Sequence, residues 1–168
     1  MLSRSFDFFN NFSERDIMTT YQASAHCVGE SNWHLQFTPG YRRPIFQDQM
    51  TRELTIAYLM EATEHLHLHV GAIECGPDHI HLFLQETRKF SVVQVVQKLK
   101  GYSSFKMRKH HRSLFSHYLY GDKFWSAGYF YQTVGAVTAE SVKEYITKGQ
   151  AKHWVKKSQQ KTLFNYSR

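Results

Sequence analysis

Two stretches with alternating side chains, separated by a tight turn, constrain the fold of this chain more than any other feature. Residues 67–75 and 79–85 each predict a strand, and 76-GPD-78 between them predicts a turn. The second stretch continues into 82-LFL-84, which is typical of a strand buried at the centre of a sheet. We therefore expect an antiparallel sheet in which residues 79–85 form a central strand.

Strand and helix patterns alternate on both sides of this pair. Asp48 and Ser91 are candidate N-caps of two amphipathic helices, and the second helix is expected to be interrupted at Gly101. The other predicted elements are one or two strands at 21–37, helices at 48–66 and 91–111, an aromatic strand at 124–133 and a helix at 138–149. The order β-α-β-β-α-β-α predicts an α+β fold, with helices on a ferredoxin-like antiparallel sheet.

Length and composition predict a single domain. A chain of 168 residues with 42% hydrophobic content can form one core, which we assign to residues 21–150. Residues 1–20 are predicted to be a flexible leader, and residues 151–168 a basic tail. Cys27 and Cys75 form no disulfide framework, so a reducing cytoplasm is the simplest setting. No apolar run approaches the roughly 18 residues of a membrane span, and no membrane partner is expected.

The positive charge is concentrated in acid-free stretches. The net charge is +7, no acidic residue lies between Glu86 and Asp122, and none follows Glu144. This favours an anionic partner, with nucleic acid first and a ribosomal-type or membrane-surface protein as alternatives. The same stretches would also fit solvated faces that only aid solubility. The candidate phosphate contacts are Arg42, Arg43, Lys98, Lys100, Lys106 and Arg108.

Two histidine patterns are candidate metal sites. Residues two apart on a strand point to the same face, so His79 and His81 can act together. They lie on the predicted central strand, where a rigid site can form, and Asp78 is a candidate ligand or a hydrogen-bond acceptor for an imidazole. The pattern 65-HLHLH-69 is expected to be the solvent-facing side of an edge strand.

A tyrosine on the last predicted helix is a candidate nucleophile. Tyr145 is one of 10 tyrosines, and packing on an amphipathic helix is the alternative for it. A tyrosine can nevertheless attack a phosphodiester, and a divalent metal held by two histidines can stabilise the developing charge. A metal-bearing strand and a tyrosine-bearing helix would together make a nuclease that stores the bond energy in a covalent intermediate.

Four ordered blocks of the chain resemble one family. The sequence 78-DHIHLF-83 resembles the histidine–hydrophobic–histidine motif of the HUH endonucleases. The blocks at 33–46, 98–108 and 124–138 extend the likeness to the single-tyrosine HUH transposases of the IS two-hundred / six-hundred-and-five class of insertion sequences. Together these blocks are far more specific than the histidine pair alone.

The resemblance implies a fold, a reaction and a set of site residues. It implies a ferredoxin-like (RNA-recognition-like) core with a C-terminal tyrosine-bearing helix, a homodimer, and Mg²⁺ or Mn²⁺. It implies cleavage and rejoining of single-stranded DNA at insertion-sequence ends through a covalent 5′-phosphotyrosine, with DNA hairpins recognised near those ends. Carried over by position, His79 and His81 are the metal ligands and Tyr145 is the nucleophile, which can complete the site of the partner subunit.

One position departs from the family pattern. The family commonly places a glutamine four residues after the tyrosine as a third metal ligand, but that position is Gly149 here and Gln150 follows it. We assign Gln150 as the third ligand if the helix ends at Gly149, with Asp78 or water as the alternatives. The rival to the enzyme is a non-catalytic or domesticated protein on the same fold that binds single strands or hairpins.

Overall fold

The structure, a computed structural model, describes residues 22–24, 27–119, 121 and 123–135. Six strands and three α-helices lie within these residues. In chain order they are β1 (Gln22–Ser24), β2 (Cys27–Gly29), β3 (Asn32–Phe37), α1 (Gln49–His65), β4 (His69–Gly76), β5 (His79–Gln85), α2 (Val92–His110), α3 (Arg112–Phe115) and β6 (Phe130–Val134).

Four of the strands form one antiparallel sheet in the order β4-β5-β3-β6. Helix α1 connects β3 to β4, and the antiparallel strand β5 lies between these two strands. Helices α2 and α3 connect β5 to β6 in the same way, with the antiparallel strand β3 between them. This is the ferredoxin-like arrangement, so the predicted fold class is confirmed. The strands β1 and β2 form a separate two-stranded sheet.

The two faces of the large sheet have different chemistry because side chains alternate along each strand. One face carries the apolar residues of β3 and β5, including Leu35, Ile80 and Leu82, which are 0% exposed. These residues share one core with Leu59 of α1 and Leu99 of α2. The other face of the same two strands carries histidines, so the sheet presents its polar chemistry on the side opposite this core.

Side-chain caps fix where the two long helices begin. The backbone N–H of Thr51 donates to Asp48 Oδ1 at 2.7 Å, as expected for the predicted N-cap of α1. Ser91 and Gln94 form a reciprocal capping box at the start of α2. The predicted start of both helices is therefore confirmed.

The predicted interruption of the second helix is wrong. Helix α2 continues through Gly101, whose Cα faces open space. A glycine inside a helix costs about 1 kcal/mol relative to alanine. That cost is offset by burial on both sides of it, since Val96, Leu99, Ser103 and Met107 are buried in the same helix.

The predicted strand at 124–133 is correct only in its second half. Strand β6 begins at Phe130, and Trp125 instead forms an isolated bridge with Pro39. The Trp125 ring is 6% exposed and lies edge-on to Phe37, with centroids 5.9 Å apart. Aromatic content predicted a strand there, whereas these rings fill the core from an irregular segment.

Other predictions have mixed outcomes. The described part of the region 21–37 holds three short strands rather than one or two, and α3 was not predicted. The helix at 138–149 and the proposed leader and tail lie outside the described residues.

Among the helices that the structure describes, none is long and apolar enough to cross a membrane.

Candidate active site

Strand β5 places His79 and His81 on one face of the sheet, and both are buried, with exposed fractions of 8% and 5%. Their ring centroids are 4.8 Å apart, and the rings are nearly perpendicular at 88°. With a metal–nitrogen bond of ~2.1 Å, two imidazoles on one ion at ~90–110° would have centroids ~4.6–5.4 Å apart. The observed separation therefore fits a shared metal ion.

Asp78 holds the first histidine in place. Its Oδ1 lies 2.7 Å from His79 Nδ1, and its Oδ2 accepts a hydrogen bond from Arg42 Nε at 2.9 Å. Burial would raise the pKa of Asp78, but the hydrogen bonds from His79 and Arg42 outweigh it and lower that pKa below its usual value. Asp78 is therefore an ionised acceptor that orients an imidazole.

A histidine from the neighbouring strand contacts the second one. His34 Nε2 lies 2.8 Å from His81 Nδ1, and the ring planes are inclined by only 28° to each other. Burial lowers the pKa of His34. Burial, followed by the proximity of His79 and His34, lowers the pKa of His81 to about 4. Both rings are thus neutral at neutral pH, the form in which an imidazole nitrogen binds a metal.

Sequence reasoning missed His34 as a site residue. Its position alternates with Trp33, Leu35 and Phe37, which shows that it faces away from the core. In the sheet it pairs with Phe83, two residues from His81, so the two histidines are diagonal neighbours on one face. The alternation was visible in the sequence, but the strand register that brings His34 to His81 was not.

The turn that carries Arg42 has an unusual backbone. Tyr41 and Arg42 have φ angles of 55° and 53°, in the left-handed region that non-glycine residues seldom adopt. The preceding Gly40 packs so closely that a Cβ there would lie 2.9 Å from the Lys123 carbonyl oxygen. This packed turn projects Arg42 onto Asp78.

The histidines at 65–69 are exposed as predicted, but only His69 lies on the edge strand β4. His65 ends α1, and His67 lies in the turn between the two elements with a φ angle of 53°. His69 Nδ1 is 2.8 Å from Gln85 Oε1, a surface hydrogen bond.

Both lysines of α2 that are less exposed, Lys100 and Lys106, are bonded within the protein through their ammonium groups. The ammonium of Lys100 donates to the backbone carbonyls of Ser126 at 2.7 Å and Gly128 at 2.9 Å, with Ala127 at 3.4 Å. Lys106 binds Glu61 Oε1 at 3.2 Å. DNA contacts by these two lysines stay predictions, and each would compete with the bonds seen here.

The other basic candidates are exposed, although Arg42 also bonds to Asp78 and Arg108 Nε donates to the Ser104 carbonyl at 3.2 Å. Arg43, Lys98 and Arg108 are exposed, as is the Arg42 side chain at 62%. Arg108 lies on an open groove of about 470 Å³ between α2 and the 123–129 segment, where Trp125 and Tyr129 also line the wall. A groove with cationic and aromatic side chains suits a nucleic acid.

The predicted nucleophile Tyr145 and third ligand Gln150 lie outside the described residues. Within the part of the chain that the structure describes, no group of three or more His, Cys, Asp or Glu residues has an arrangement that could hold a metal. The histidine pair therefore needs a further ligand of another kind or from another segment.

Comparison with known proteins identifies the family. A family model described as "Transposase IS200 like" matches residues 27–149. The chain belongs to the IS200-like transposase family. The resemblance predicted from four sequence blocks is thus confirmed, and this transposase is a DNA-binding protein of an insertion sequence.

Relatives support this assignment. The transposase for insertion sequence element IS200 of Salmonella typhimurium is 33% identical over 122 residues, covering 73% of this chain and 78% of that protein. The ISDra2 transposase TnpA of Deinococcus radiodurans is 28% identical over 119 residues, covering 71% and 84% of the two chains.

Solved structures have the same fold. A crystal structure of a candidate transposase from Deinococcus radiodurans R1 has a TM-score of 0.60 and 26% identity, over 75% of this chain and 95% of that one. A REP-associated tyrosine transposase bound to a REP hairpin has a TM-score of 0.55 and 10% identity, over 73% and 68% of the two chains.

Proposed function

We propose that this IS200-like transposase cleaves and rejoins single-stranded DNA at insertion-sequence ends by a metal-dependent, covalent tyrosine mechanism. The observation that carries the proposal is the pair His79 and His81, which are 4.8 Å apart between ring centroids on one face of the central strand. The Nδ1 atoms of the two rings contact Asp78 and His34. These contacts orient both rings to bind a metal through Nε2.

The donor set fits a divalent ion that keeps several oxygen ligands. His79 and His81 would hold Mg²⁺ or Mn²⁺ together with water, phosphate oxygens and one further protein ligand. Gln150 is the proposed further ligand. Asp78 is a weaker candidate, because its two oxygens accept hydrogen bonds from His79 and Arg42. When bound, the ion supplies Lewis-acid stabilisation of the charge that develops on the phosphate.

Tyr145 is the proposed nucleophile. Its phenolic oxygen forms a bond to phosphorus, the bond from phosphorus to the 3′ oxygen breaks, and a proton ends on that oxygen. The products are a 5′-phosphotyrosine and a free 3′-hydroxyl. Attack by a 3′-hydroxyl reverses these steps, releases Tyr145 and joins the strands without an external energy source.

The proposed partners are a second copy of the chain and a DNA hairpin. The related REP-associated transposase is bound to a hairpin, which supports the same class of ligand here. Arg43, Lys98 and Arg108 are the exposed side chains most suited to its backbone. In the proposed homodimer, Tyr145 of either subunit can serve a given histidine pair.

The test is covalent adduct formation on a denaturing gel. Single-stranded oligonucleotides covering the ends of the element are labelled at the 3′ end, because the fragment bearing the 5′ phosphate stays on the tyrosine. We expect a labelled adduct with Mn²⁺ that is lost with EDTA, in Tyr145→Phe and in His79→Ala. Tyr131→Phe, an exposed tyrosine of β6, is the matched control and keeps the adduct.

The rival function gives a different result. Tight binding of the hairpin by the wild-type protein, with no adduct on any of these oligonucleotides in Mg²⁺ or Mn²⁺, would assign the chain to non-catalytic hairpin binding. An adduct that persists in Tyr145→Phe would keep the enzyme and remove Tyr145 from its role.

A further inference from the structure

We propose that His34 is a positioning residue, which accepts a hydrogen bond from His81 Nδ1–H and thereby directs His81 Nε2 to the metal. The inference rests on the proposed function, because it concerns the same metal site. It adds a residue of β3 that belongs to none of the predicted site residues.

The contact geometry supports this role. His34 Nε2 is 2.8 Å from His81 Nδ1, a normal length for a hydrogen bond between ring nitrogens. A neutral imidazole carries one N–H, and the nitrogen that binds a metal must be the one without it. A His81 that binds through Nε2 therefore carries its proton on Nδ1, and His34 Nε2 is the acceptor.

The two metal-site histidines are thus supported in parallel ways. His79 Nδ1 faces a carboxylate oxygen of Asp78 at 2.7 Å, and His81 Nδ1 faces an imidazole nitrogen at nearly the same distance. In both cases the partner fixes the tautomer and the rotation of the ring. A neutral acceptor adds no negative charge beside His81, whereas Asp78 adds one beside His79.

His34 is itself held firmly. It is 8% exposed, it lies on the inner strand β3 beside β5, and its ring makes an edge contact with Phe130, with centroids 5.8 Å apart. A side chain packed on a strand places its acceptor atom more reproducibly than one on a loop. His34 can therefore limit the rotation of His81 before any metal arrives.

The first experiment measures Mn²⁺ affinity by the electron paramagnetic resonance signal of unbound Mn²⁺, without DNA or turnover. His34→Leu removes the acceptor and is expected to weaken Mn²⁺ binding by about 10–100-fold. His34→Gln retains an acceptor oxygen and is expected to stay within ~3-fold of wild type. The control Gln132→Leu alters the side chain beside His34 on β6 and should leave the affinity unchanged.

Two results would overturn the proposal in this assay. Wild-type affinity in His34→Leu would reduce His34 to a packing residue. A loss in His34→Gln as large as in His34→Leu would show that the imidazole itself is needed, as for a direct ligand. The melting temperature of each metal-free variant checks that a loss of affinity is not a loss of fold.

A second measurement separates this inference from the proposed function. Long-range ¹H–¹⁵N correlation of histidine-labelled, metal-free protein reports the tautomer of each ring. We expect the Nδ1–H form for His81, with an unprotonated Nε2 on His34; an Nε2–H form of His81 would refute the positioning role. If wild type binds no Mn²⁺, the metal site and its positioning fail together, while the tautomer still decides whether His34 Nε2 accepts a hydrogen bond from His81 Nδ1–H.

Discussion

Lys100 tests whether a basic residue of α2 stabilises the fold or contacts DNA. The residue was predicted to contact DNA phosphate, yet its ammonium binds carbonyls of the segment that leads into β6. We expect Lys100→Met to destabilise the fold. Each of the two short bonds, at 2.7 and 2.9 Å, is worth about 1.5 kcal/mol because its donor is charged. In the variant, water can hydrogen-bond to the exposed Gly128 carbonyl and recover part of this energy. The expected loss in the free energy of unfolding is therefore about 2 kcal/mol.

The assay pairs two variants of the same helix. Lys98→Met changes an exposed lysine two residues away and should leave the free energy of unfolding in urea within about 0.5 kcal/mol of wild type. Hairpin binding is then measured against salt concentration, where each lost phosphate contact lowers the slope by about 0.7–0.9. We expect Lys98→Met to lower the slope and keep stability, and Lys100→Met to lower stability and keep the slope.

The opposite pattern would refute this reasoning. If Lys100→Met unfolds at the wild-type urea concentration and loses about one phosphate contact from the slope, its ammonium binds DNA and not the loop. Equal effects of both variants on the slope, with no loss of stability, would show that the whole helix face lies on the backbone of the hairpin.

Three further predictions concern the fold around the site. Ser91→Ala removes the N-cap of α2 and should cost about 1 kcal/mol in urea unfolding, while Ser91→Asp retains it. Gly40→Ala brings a Cβ to 2.9 Å from the Lys123 carbonyl oxygen and should lower the stability by about 1–3 kcal/mol; an unchanged melting temperature would show that the turn can shift. The hydrogen bond from Tyr102 lowers the pKa of Glu61, so its stabilisation is present at neutral pH and lost as the pH falls through that pKa. The stability gap between wild type and Glu61→Gln should therefore close as the pH falls below the usual pKa of a glutamate, and a constant gap would contradict the lowered pKa.

Local patterns predicted the parts of the site that depend on one element. The turn before β5 and the apolar residues after it placed His79 and His81 on a buried strand, and the structure bears out that placement. Alternation alone then put both rings on one face. These features need no knowledge of neighbouring strands, which is why a single sequence was enough.

The partners of these histidines depend on the arrangement of the sheet. His34 meets His81 because β3 lies beside β5 with His34 opposite Phe83, a register that forms over 47 residues of separation. No local propensity encodes such a register. The role of Lys100 was hidden for the same reason, since the carbonyls that it binds belong to an irregular segment that was predicted to be a strand.

His79 and His81 have hydrogen-bond partners from different parts of the fold, Asp78 and His34. The partner of His79 also bonds to an exposed residue, Arg42. Asp78 links His79 to Arg42, whose turn adopts left-handed backbone angles that cost about 1–2 kcal/mol per residue. The bond to Asp78 uses one of the five N–H donors of the guanidinium, and 62% of the side chain is exposed. Arg42 can therefore bind a phosphate and Asp78 together, so the DNA contact predicted for it and the orientation of His79 are compatible. The strained turn thereby places one positive charge between the surface and the candidate metal site.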